Sequence, residues 1–216
     1  MDDPESTAAT GQARLAIGAM ACMLYSALAL AVLHVLRPDY APASNFISNY
    51  AVGPYGWVMT TWFVAQAGGT ALLVLGLACS GLRSVAAIAA MVLLLVEAIG
   101  LLVSAMFPVD LPGTPSTRAG AIHDLSFLVN VSCFMLAILL LPLGLGRHPG
   151  WRTFRRTAWL LAGLILLAFL VQFATMHKGM PYGLANRFFV LVALAWGLAT
   201  ATRLRTVLLR HQESRT

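Results

Sequence analysis

Residues 85–106 read VAAIAAMVLLLVEAIGLLVSAM, twenty-two residues with one ionisable side chain, Glu97. A membrane-crossing helix needs about 20 predominantly apolar residues, whereas a barrel strand is about half as long and alternates in polarity. Length and pattern together make this run a transmembrane helix. Five further segments of the 216-residue chain share its character, at about 15–36, 55–79, 122–144, 156–176 and 183–204. Hydrophobic residues make up 59% of the chain and charged residues only 10%, against about 25% charged in soluble domains. The expected fold is therefore all-α: an integral membrane bundle of six transmembrane helices, with no separate soluble domain. The expected organisation is a polar tail over 1–14, a six-helix transmembrane domain over 15–204 and a basic tail over 205–216. The polar start, MDDPESTAATGQAR, lacks the basic flank of a secretory signal, so the first segment is expected to be retained as a helix.

The formal net charge is +6, but the cations are distributed as a topology signal. Arg14, Arg83, Arg147, Arg152, Arg155, Arg156, Arg203, Arg205, Arg210 and Arg215 flank one side of the spans. Arg37, Arg118, Lys178 and Arg187 flank the other. Ten against four places both termini in the cytoplasm of a multi-pass inner (cell) membrane protein. The arginines of GRHPGWRTFRR (146–156) are then expected among anionic headgroups. No nucleic-acid motif accompanies the charge, so the bilayer is the expected partner. Cys22, Cys79 and Cys133 have no CxxC spacing and read as small packing residues. Trp57 and Tyr55 on one side, and Trp151 on the other, read as belt aromatics. Gly68-Gly69 reads as a site of close helix packing.

The unusual polar residues gather on the non-cytoplasmic side. His34, Arg37 and Asp39 close the first span, and Asn45, Ser48, Asn49 and Tyr50 follow in the first loop. Asp110 follows the third span, His123 and Asp124 open the fourth, His177 ends the fifth, and Asn186 with Arg187 start the sixth. Asp124 suits the positive end of a helix dipole, and Ser116 or Thr117 suits the loop turn. His123, Ser126, Asn130 and Cys133 share one helix face, which should turn inward because hydrocarbon penalises polar groups. At about 1.5 Å per residue, Glu97 lies about 14 Å below the outer helix end, Asn130 about 12 Å, and Gln66 and Tyr25 about 16 Å. No Lys or Arg lies at that depth, so Glu97 is expected to be neutral much of the time. It is either interhelical glue with Gln66 or Asn130, or a proton or cation site.

The same choice arises elsewhere. Asp110 with His123 is either a loop fastener or a catalytic or ligand-binding pair. Arg187 either snorkels to headgroups or clamps an anion near Lys178. His34, His123, His177, Asp110 and Asp124 are chemically able metal ligands, but no HxxxH or HExxH pair occurs, so no metal site is assigned and the residues name no cofactor.

Three stretches also carry a resemblance: SNYAVGPYGWVM (48–59), FPVDLPGTPSTRAGAIHD (107–124) and YGLANRFFVLVALAW (182–196). In combination they resemble the bacterial membrane family called domain of unknown function 998, over about residues 15–204. The resemblance implies a six-helix integral membrane protein and supplies no activity. It implies a polar signature of Ser48, Asp110, Gly120, His123 and Arg187. Asn186 departs from it, since an acidic residue is expected beside the Arg. The Ser, Asp and His set is also similar, in residue types only, to membrane hydrolases that include alkaline ceramidases, whose extra histidines have no match here.

Asp110, His123, Ser48 and Arg187 are expected to converge on an outward-opening polar pocket, with Asn130, Gln66 and Glu97 deeper in the same cavity. The leading expectation is binding of a lipid head group or small amphiphile. The first alternative is a lipid hydrolase, with His123 as general base oriented by Asp110 or Asp124 and a zinc ion optional. The second is a proton-coupled carrier switched by Glu97. The third is a structural membrane subunit, which requires a packed bundle with no hollow behind His123. An oligomeric state is not readable from these residues.

Overall fold

The computed structural model describes residues 4–177 and 179–213, with side chains described from 11 to 210. Lys178 and Arg215, both counted in the orientation argument, lie outside the described residues. Seven helices follow in order: α1 (Pro4–Leu36), α2 (Gly56–Cys79), α3 (Val85–Met106), α4 (Arg118–Leu145), α5 (Pro149–Arg152), α6 (Arg155–Ala174) and α7 (Tyr182–Glu213). A single 3-10 helix, Ile47–Ala51, interrupts the α1–α2 connection. No strand occurs among the described residues. All the helices except α5 are long and apolar enough to cross a membrane.

Each long helix packs against the next in chain order, and α7 returns to α1, so the six close into a ring. The α4–α6 contact is the sparsest of the ring. The outward surface is apolar: Leu160 is 75% exposed, Leu170 63% and Leu28 62%. Such continuous apolar surface is stable against lipid rather than water. The protein is a multi-pass membrane protein.

One end of the ring, the basic face, exposes Arg14, Arg83, Arg147, Arg152, Arg155, Arg156, Arg205 and Arg210. Trp151 lies near this face but is not a belt aromatic. It is fully buried, and its Nε1–H donates to Ser80 Oγ at 3.1 Å. The short α5 carries it inward, where burying a large ring and satisfying its N–H outweighs an interfacial position. Of the Gly68-Gly69 pair, only Gly69 marks a close approach: a Cβ there would stand 3.0 Å from Cys22 Cβ on α1, whereas one at Gly68 meets nothing within 4 Å.

At the other end, segment 37–55 folds across the ring and forms a lid. Three residues at the start of α7 hold it. Gly183 N donates to Ala43 O at 2.9 Å, and a Cβ on Gly183 would stand 2.3 Å from Pro42 O. Asn186 Oδ1 accepts from Ile47 N at 3.0 Å. Arg187 Nη1 donates to Pro42 O at 2.9 Å and Asn45 O at 2.6 Å. The far side of the lid is fastened by Arg37, which donates to Val52 O and Pro54 O, both at 2.8 Å, and pairs with Asp39.

Candidate functional site

The ring encloses a cavity of about 430 Å³ under the lid. Every long helix and the lid contribute to its wall. The polar wall consists of Ser48 from the lid, Gln66 and Thr70 from α2, Glu97 and Ser104 from α3, His123, Asp124 and Asn130 from α4, Gln172 from α6 and Asn186 from α7. Aromatic and aliphatic side chains fill the rest. On helical rise, the cavity reaches from the lid to about 20 Å below it, near Thr70 on α2 and Trp196 on α7. Asp124 and Phe127 on α4, and Met176 just beyond α6, line the cavity and are also exposed. They place its mouth at the sparse α4–α6 contact.

Three helices deliver polar groups to the cavity at mid-depth. Gln66 and Asn130 have no side-chain hydrogen bond among the described residues, and Asn130 is 7% exposed. Glu97 faces Thr70 across the α2–α3 contact, yet its Oε2 is buried without a partner. No hydrogen bond joins Glu97 to Gln66 or Asn130, the partners expected; its partner across the helices is Thr70. Glu97 and Asn130 are neighbours through Gly100, one turn along α3 from Glu97. A Cβ there would stand 2.8 Å from Asn130 Cβ. Tyr25, the fourth residue expected at this depth, is not in the wall. It is 42% exposed, and its hydroxyl meets Thr61 Oγ1 at 2.7 Å on the α1–α2 surface.

His123 is buried, and its Nδ1 lies 2.8 Å from Phe107 O. A carbonyl only accepts, so Nδ1 carries a proton, and in the neutral tautomer of the ring the lone pair is on Nε2. Ser126 donates to His123 O at 2.8 Å and therefore accepts from Ser104 at 2.7 Å. That chain ties α3 to α4 and fixes the start of the inward face expected from the sequence.

Asp110 and His123 do not form a pair, and Asp110 is not in the cavity wall. Asp110 accepts from Thr117 N at 2.7 Å and from Thr117 Oγ1 at 2.8 Å. Thr117 Oγ1 in turn accepts from Gly120 N at 3.1 Å, so Thr117 is the N-cap of α4. A Cβ on Gly120 would stand 2.1 Å from Asp110 Oδ2. The D…T…G spacing of 107–124 is thus a device that folds the loop and starts the helix. It starts α4 at Arg118, four residues before the apolar run. Asp124 therefore lies beyond the first turn, and Asp110 holds the helix-start position expected for it.

Arg187 neither snorkels nor lines the cavity. It is 8% exposed and donates to five neutral acceptors: His34 Nε2 at 2.6 Å, Pro42 O, Asn45 O, Gly183 O and Tyr50 Oη. Because the guanidinium only donates, His34 Nε2 must accept, which puts the His34 proton on Nδ1 facing Leu30 O at 2.7 Å. His34 is thus part of the lid anchor, while His177 is exposed at the end of α6. Asn186 also has a reason to be an amide: it accepts from Ile47 N while its Nδ2 donates to Gln172 Oε1 at 3.2 Å. A carboxylate would do only the first.

Of the residues expected to converge on one pocket, Ser48, Gln66, Glu97, His123 and Asn130 line this cavity, and Asp110 and Arg187 do not. Sequence reasoning missed Thr70, Gln172 and the indoles of Trp62 and Trp196. Gln172 had a signal, as the one amide in the fifth apolar segment. No group of three His, Cys, Asp or Glu side chains comes together as a metal set among the described residues.

A family model described as "Protein of unknown function (DUF998)" matches residues 19–203. The chain belongs to this family. The match takes in four of the six apolar helices whole, most of the first and last, the lid and the Asp110–Gly120 loop. The family's description assigns no activity. Comparisons with curated proteins and with solved structures found no match.

Proposed function

We propose that this DUF998 protein binds a small amphiphile or a lipid head group in the cavity beneath its lid. We place it in the cell (inner) membrane with the basic face and both termini cytoplasmic and the lid outward, in keeping with the cation asymmetry. The observation that carries the binding reading is the unused hydrogen-bonding capacity of Gln66, Asn130 and Glu97 Oε2, from three helices, at one cavity. Glu97 Oε2, the one of these atoms that is fully buried, costs about 1–3 kcal/mol without a partner, and a bound polar group recovers that. The mouth at α4–α6 gives an amphiphile a sideways route from the bilayer. The hollow behind His123 supports this reading over that of a packed structural bundle. Native mass spectrometry from nanodiscs tests the reading. Wild type should retain bound lipid or amphiphile, and a Gln66→Leu, Asn130→Leu variant should lose it. Identical adducts on both would refute it.

A second reading is hydrolysis of a lipid ester or amide. It is favoured by His123, whose Nδ1–H is held by Phe107 O while Nε2 is left as a base at the cavity wall. Phe107 O, rather than Asp110, then orients the ring. Loss of membrane-lipid hydrolysis in His123→Ala supports this reading, and equal rates in wild type and variant remove it.

A further inference from the structure

We infer that the cavity selects a lipophilic ammonium, a protonated amine on an apolar body, and that its nitrogen sits at Glu97. The inference rests on the amphiphile reading above and narrows it to one charge. The charged residues in the wall are Glu97 and Asp124, both acidic, and no Lys or Arg among the described residues joins them. Arg187, the cation nearest by sequence to the α7 wall, is turned away into the lid. A phosphate or carboxylate would therefore leave water to face two acids with no Lys or Arg opposite, while an amine gains a counter-ion by taking the proton of Glu97, which is expected to be neutral when alone.

The remaining wall suits the same guest. Trp62 and Phe63 on α2, Phe127 and Phe134 on α4, and Phe189 and Trp196 on α7 present rings to the cavity. Ring faces attract cations, most strongly where water is excluded. At mid-depth the ammonium N–H groups have acceptors waiting: Glu97 Oε2, which has no partner, and the amide oxygens of Gln66 and Asn130. Thr70 beside Glu97 and Gly100 behind Asn130 keep these groups on neighbouring turns. The apolar body then extends past Phe127 to the mouth, where Asp124 offers a second carboxylate on the way in.

The test uses the full chain in zwitterionic nanodiscs and three probes with one tail, decylammonium, decanol and decanoate, each brominated at the sixth carbon, on the part of the tail that stays inside the cavity. Bromine there quenches the indole of Trp62 on contact. Only quenching reversed by excess unbrominated probe is counted, which sets aside partitioning near Trp57. Decylammonium should bind about tenfold or more tightly than decanol, with decanoate weakest, and Glu97→Gln should weaken decylammonium about tenfold while leaving decanol unchanged. Equal affinity for decanol and decylammonium in wild type overturns the charge selection but leaves the amphiphile reading standing. No reversible quenching by any probe overturns both. The wild-type ranking needs no variant, so a misfolded Glu97→Gln protein does not blunt the test.

Discussion

Gly120→Ala offers a quantitative check on the loop that starts α4. The new Cβ would stand 2.1 Å from Asp110 Oδ2, so the carboxylate must leave. Leaving breaks its bonds from Thr117 N and Thr117 Oγ1. Hydrogen bonds to a carboxylate acceptor contribute about 1.5–3 kcal/mol each, and the lower figure is the upper bound for this exposed loop. Two of them give up to about 3 kcal/mol, offset by up to about 1 kcal/mol because Ala is the better helix former. Gly120→Ala alone should then cost up to about 2–3 kcal/mol, and Asp110→Ala up to about 3. The decisive variant is the double one. With Asp110 truncated the added methyl meets no carboxylate, so the second change should be neutral or slightly stabilising. The coupling between the two sites should therefore reach up to about 2–4 kcal/mol. Reversible unfolding of the four proteins in mixed micelles measures it. Additive costs, or a Gly120→Ala protein as stable as wild type, would refute the account of the D…T…G spacing.

Other outcomes follow from the same geometry. Arg187→Lys cannot reach five acceptors from one ammonium, so proteolysis within 37–55 should speed up about tenfold or more while the helices stay resistant. Trp151→Ala should cost about 3–5 kcal/mol by emptying a fully buried site, whereas Trp57→Ala, at a position 66% exposed, should change stability little in the same unfolding assay. Asp39 lies outside the spans, and hydrogen bonds from Arg37 hold its carboxyl below the usual range. A depressed acid stabilises the fold above its unfolded value of about 3.9 and loses that contribution as pH falls through the folded value. Amide exchange in 37–55, corrected for intrinsic rates, should therefore rise below about pH 4 in wild type, and an Asp39→Asn protein should show no such step.

The six spans were legible because hydrocarbon imposes a length and a composition that a chain cannot disguise. The polar cavity was partly legible for the same reason: Glu97, Gln66 and Asn130 stand out against apolar runs, and helical rise puts them at one depth. Depth, however, says nothing about direction around a helix, which is why Tyr25 shared the level of Glu97 and yet faces outward. The roles of Asp110 and Arg187 were hidden for a different reason. A loop acid can orient a histidine or cap a helix with the same atoms, and only the approach of Gly120 decides between them. Likewise the Arg187 acceptors are mostly backbone carbonyls, which every residue carries and no pattern marks. Trp151 misled because belt aromatics and buried plugs occupy the same stretch of sequence near a span end.

The lid and its anchors on α7 lie far apart along the chain. Ile47 and Asn186 are 139 residues apart, and Pro42 and Arg187 are 145 apart. At synthesis rates of about 5–20 residues per second, the first loop emerges roughly 7–30 s before the residues that fasten it. During that interval the nascent protein has an unroofed, incomplete ring. Closure waits for the last span to insert, so a ribosome that stops short of α7 releases a chain whose cavity lacks one wall and whose roof is unfastened. Quality control that recognises an unfastened first loop would thereby be monitoring whether the last span of the ring had been made.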